Sequence, residues 1–62
     1  MNKYTVIVQD GVSGYNHTFR QDARILEDAV SLTKLEATSW GVRKPIVLMA
    51  VDEEYDKEML NR

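Results

Sequence analysis

The chain has 62 residues and a formal net charge of −2, from 8 Lys+Arg against 10 Asp+Glu, with no cysteine and one histidine. That length predicts a single small domain, residues 1–62, with a thin core, because a domain of this size buries only ~60% of the surface its unfolded chain exposes. Disulfides and cysteine-ligated metals are excluded, and so is a membrane helix, since the longest apolar run, Ile46 to Val51, falls far short of the ~20 residues needed.

Lys3 to Gln9 alternates Tyr4, Val6 and Val8 with Thr5, Ile7 and Gln9, which predicts a strand of period two rich in β-branched residues. Asp10-Gly11-Val12-Ser13-Gly14 reads as a hairpin loop, because glycine accepts the positive φ that tight turns require. Tyr15 to Arg20 alternates again and predicts a second strand, antiparallel to the first.

The period then changes. Ile25, Leu26, Ala29, Val30, Thr33 and Ala37 fall on one helical face, and a helix is expected over residues 22–39 with Asp22 as its N-cap. Gly41 suits the left-handed position just past the helix end. Pro45 opens a third strand, Ile46 to Val51, that is apolar on both faces. Asp52 to Leu60 is an acidic terminal segment, either a short helix capped by Asp52, with Tyr55 and Met59 on one face, or a frayed tail.

The expected architecture is α+β, a ββαβ chain with a three-stranded sheet of order 2-1-3 and one helix on one face. That leaves a second sheet face to account for. Strict alternation puts Ile7 there, with either Val47, Met49 and Val51 or Ile46, Leu48 and Ala50. The terminal segment, a second copy or a target could cover it.

The residues that could carry chemistry point elsewhere than to an enzyme. His17, with Asp10 and Ser13 across the loop, lacks the oxyanion-hole segment of a hydrolytic triad, and it fits a half-buried strand position better. The acids Asp52, Glu53, Glu54, Asp56 and Glu58 have no central glycine to form a calcium loop, so they read as a solvated face. The glycines of the loop lack phosphate-loop spacing. No catalytic residue, cofactor or metal is therefore expected, and one helix on three strands offers no room for a substrate cleft.

Charge is unevenly spread. Residues 1–51 hold 6 basic and 5 acidic side chains, net +1, while residues 52–62 hold 2 and 5, net −3. A nonspecific phosphate grip needs a clear basic excess, so nucleic acid is an unlikely partner. Trp40 is expected to close the core over the helix end; the alternative is an exposed anchor, with Arg43, for a protein partner.

Tyr4, the Asp10-Gly11-Val12-Ser13-Gly14-Tyr15 loop and Ile25-Leu26-Glu27-Asp28-Ala29-Val30 together resemble the hairpin and helix start of the HicB-type antitoxin N-terminal domain. The resemblance covers about half of the chain, and the third strand of that domain, before the helix, has no counterpart here.

The leading expectation is a small non-enzymatic module that binds a larger protein, as an inhibitor, an antitoxin-like or phage-type regulator, or an accessory subunit. Its expected contact residues are Trp40, Arg43, Val47, Met49 and Tyr55, with Glu53 and Glu54 steering it to a basic target surface. Two alternatives stand beside it. Tyr4, Tyr15 and Phe19 could stack single-stranded bases, or the bare sheet face could make a homodimer. The missing signal-peptide pattern and the absent cysteines point to the cytoplasm.

Overall fold

A computed structural model of the chain describes residues 2–53. The elements follow in the order β1 (Asn2–Asp10), β2 (Asn16–Ala23), α1 (Leu26–Ser39) and β3 (Pro45–Asp52). The sheet order is β2-β1-β3, with β1 antiparallel to both neighbours, and α1 packs across the sheet. The expected α+β, ββαβ architecture is what the chain adopts. Of the short helix or frayed tail anticipated over Asp52 to Leu60, Asp52 ends β3, and the residues beyond Glu53 lie outside the described residues.

Alternation along β1 decides which side is covered. Tyr4, Val6 and Val8 turn toward α1 and are buried, Val6 and Val8 with no exposed surface, while Thr5, Ile7 and Gln9 face away and are half-buried. Phe19, Val47 and Ala50 extend the core to the outer strands, and Ala23 and Val42 close it at the ends.

The helix departs from expectation at its start. Residues 22 and 23 belong to β2, and the N-cap is Ile25, in extended conformation and without a side-chain cap bond. Asp22 cannot cap because it is still paired with Lys3 in the β1–β2 ladder. The helix seats on Ala29, Thr33 and Ala37, so it lies close to the sheet on small side chains. Ile25 and Leu26, expected on the buried face, are exposed at its first turn. The buried Thr33 hydroxyl donates to the Ala29 carbonyl at 2.7 Å, which satisfies its polar atom.

The C-terminus of α1 ends as the sequence implies. Gly41 has φ +94, its N–H donates to the Thr38 carbonyl, and the Val42 N–H donates to the Ala37 carbonyl at 3.0 Å. This pair of bonds is the Schellman arrangement, and the buried Val42 supplies the apolar contact that accompanies it.

Candidate functional site

Register fixes the uncovered face. Ile7 stands opposite Met49 across β1–β3, Thr5 opposite Val51 and Gln9 opposite Ile46. Between Ile7 and Val8 the pairing shifts, so that Met49 and Val47 pair with successive residues and Leu48 has no partner. This bulge reverses the alternation partway along β3. Val47 and Ala50 therefore both face the core, while Ile46, Met49 and Val51 share the uncovered face. Neither of the two sets expected from strict alternation occurs. Ile46, Leu48 and Met49 are 47%, 50% and 52% exposed.

One end of that face is polar. The Thr5 hydroxyl and the Arg20 Nε both donate to Glu53 Oε1 at 2.9 Å. These bonds hold the Glu53 carboxyl below the ordinary glutamate value, Thr5 first, with the charges of Arg20 and Lys3 adding and desolvation opposing. Glu53, the residue after β3, is thus tied by its carboxylate to β1 and β2.

The opposite end is held by Asp10. Its Oδ1 accepts from the Val12 and Ser13 N–H groups at 2.8 and 3.0 Å, and its Oδ2 accepts from the Arg43 N–H at 3.2 Å. One buried carboxylate therefore joins the hairpin loop to the α1–β3 loop. The donations from Ser13, Val12 and Arg43 lower its pKa from 3.8 to about 2 against a smaller desolvation effect. Next to it, the Gly11 N–H donates to the Arg43 carbonyl at 2.9 Å. With Asp10 committed to backbone amides and the Ser13 Oγ accepting from the Tyr15 N–H, these residues and the exposed His17 form no proton relay.

The expected contact residues do not form one patch. Met49 and Glu53 lie on the uncovered face. Val47 faces the core on the opposite side. Trp40 caps the C-terminus of α1 and is 76% exposed rather than closing the core, a role that Val42 takes instead. Arg43 lies in the α1–β3 loop, joined to Asp10 through its backbone. Glu54 and Tyr55 lie outside the described residues. Ile46 and Met49, which strict alternation puts on opposite faces, share one face, because nothing in a run of six apolar residues marks where a bulge will fall.

A concave surface runs beside β2. Asn16, His17, Thr18, Phe19, Arg20, Glu36, Trp40 and Val42 line an open groove of about 690 Å³ between that strand and the end of α1. Glu36 is hydrogen-bonded to Gln21 above the strand. Among the described residues, no helix is long and apolar enough to cross a membrane. The chain matches no family model, no curated protein and no solved structure.

Proposed function

We propose that the chain is a non-enzymatic interaction module that binds a larger protein through the uncovered face of its sheet. One observation carries this reading: Ile7, Ile46, Met49 and Val51 share a face that α1 does not cover, and Leu48 is exposed beside them at the bulge. Apolar groups gathered on one surface favour a partner that removes them from water. Three strands at ~4.8 Å spacing, each about eight residues long, give a face of roughly 14 × 26 Å, or about 370 Å². A standard interface buries about 800 Å² per partner, so the contact extends past this face. The net charge of −3 on residues 52–62 steers the module to a basic target surface, in the manner of an inhibitor or antitoxin-like regulator.

The base-stacking alternative gains nothing from the geometry. Tyr4 is buried under α1 and Phe19 packs against the same core, so of the three aromatics only Tyr15 is exposed.

Affinity capture from the native cell tests the proposal, with Met49→Glu and Ile46→Glu variants run beside the wild type. A protein retained by the wild type is lost from both variants, and retention weakens as salt rises. Equal capture by all three chains would remove the uncovered face from the binding surface.

A further inference from the structure

The two outer strands are unequal. β3 begins with Pro45 and is broken by the bulge at Leu48, features that blunt an edge against pairing. β2 has neither, and it runs in unbroken register with β1 from Asn16 to Ala23. Asp10 donates its N–H to the Tyr15 carbonyl, so by alternation Tyr15, His17, Phe19 and Gln21 bond inward to β1. Asn16, Thr18, Arg20 and Asp22 then present their N–H and C=O groups outward, and such a row is a template for another strand.

We propose that this strand is β2 of a second copy, paired antiparallel about a two-fold axis at Phe19, so that two three-stranded sheets become one of six strands. A second copy fits this edge, and charge and paired length together select the register. An axis at Phe19 sets Asn16 opposite Asp22, Thr18 opposite Arg20, His17 opposite Gln21 and Phe19 opposite itself, with no like charges facing. Moving the axis to Arg20 sets that arginine against its own copy. Moving it to Thr18 or to Gln21 leaves only residues 16–20 or 19–23 of each strand paired instead of 16–22.

The same axis keeps both helices on one side of the sheet. Each helix lies over its β1, so their axes stand three strand spacings apart, about 14 Å, against the 8–10 Å of direct helix contact. Something must fill that gap. Leu32, Glu36 and Trp40 recur every four residues on one flank of α1, and Glu36 marks it as the flank above β2. Leu32 and Trp40 are both exposed there, and Trp40 overhangs the groove beside β2. Two copies of each bridge the space between the helices, which gives the unburied tryptophan a place. This dimer uses an edge and a helix flank, not the face proposed for the larger partner, so the two proposals stand or fall separately.

Sedimentation equilibrium of the whole chain tests it. The wild type sediments at about 14 kDa, twice the 7.1 kDa of one chain. Thr18→Pro removes an outward N–H that β1 does not use, and by symmetry removes it twice, which raises the dissociation constant roughly 10- to 100-fold. Thr18→Arg, at an exposed position, places arginines opposite Arg20 and weakens the dimer without altering the ladder to β1. Met49→Glu leaves it intact. A wild type that remains monomeric to millimolar concentration overturns the proposal, as does a dimer that both Thr18 variants leave unchanged or that Met49→Glu alone dissociates.

Discussion

The two sides of β1 divide the work of the molecule. Tyr4, Val6 and Val8 are sealed by α1, whereas Thr5, Ile7 and Gln9, interleaved with them in the same strand, stay half-open to water. The difference comes from the small residues under the helix. Ala29, Thr33 and Ala37 let α1 sit close on one face, and the large side chains of the helix, Leu26, Leu32 and Leu35, are left outside. Among the described residues α1 is the one helix of useful size, and it makes one face core while leaving the other uncovered. Stability is concentrated on the first, and the second face and the β2 edge are the surfaces on which we propose recognition.

The sharpest way to break that division is to cut the same kind of group from both sides. Val6→Ala removes two methyl groups from a site with no exposure and costs about 2–3 kcal/mol. For a domain of 62 residues, whose total is roughly 3–9 kcal/mol, that is a large share. Ile7→Ala removes more atoms but from a half-exposed position, and it costs only about 1 kcal/mol. Urea unfolding of the two variants checks the order. Equal losses would mean that the second face is as well covered as the first.

Gly11→Ala ranks between them in effect. A Cβ there would stand 2.7 Å from the Lys44 carbonyl oxygen and 2.9 Å from the Lys44 Cβ, so one of the two loops must shift. The expected loss is about 1–2 kcal/mol, typical of overpacking, and it should appear in thermal unfolding as a lower midpoint. An unchanged midpoint would show that the loops are not held together there.

Much of this was legible in the residues. Period-two alternation marked β1 and the covered set Tyr4, Val6 and Val8, and the helix-to-strand order followed from Gly41 and Pro45. Order 2-1-3 followed from the short hairpin and the helical crossover. What could not be read was set by tertiary context. Asp22 has the chemistry of a cap, but pairing with Lys3 retains it in β2. The bulge at Leu48 leaves no mark on an apolar run, yet it decides which residues reach the uncovered face. Trp40 was expected inside because tryptophan is large and apolar, and the buried Val42 already occupies the place it would fill.

The junction at Asp10 ties the hairpin loop to the α1–β3 loop at one end of the sheet, and pH probes it. Its folded-state pKa of about 2 lies below the ordinary 3.8, so its contribution is fully present above pH ~4 and is lost as pH falls toward 2. Asp10→Asn keeps one carbonyl oxygen for the Val12 and Ser13 donors but loses the acceptor facing Arg43. The urea midpoint of the variant should fall below that of the wild type by a constant amount between pH 5 and 8. That difference should narrow between pH 4 and 2, where the wild-type carboxylate itself takes up a proton. A difference that persists undiminished at pH 2 would mean that the charge of Asp10 is not what holds the loops.

The smallest expected effect on stability is the one that best sharpens the comparison. Met49→Glu places a charge on the uncovered face at a position already 52% exposed. If that face is surface in the folded chain, the carboxylate stays hydrated and stability moves by no more than about 0.5 kcal/mol. If something in the folded chain covers the face, the charge is driven into an apolar contact and the loss is several-fold larger. Val6→Ala and Met49→Glu should therefore separate cleanly. The first lowers stability and leaves partner capture intact under native conditions, and the second abolishes capture with the urea midpoint in place. A Met49→Glu chain that loses both would place the uncovered face inside the fold, and the partner would then have to be sought at the Trp40 end of the helix.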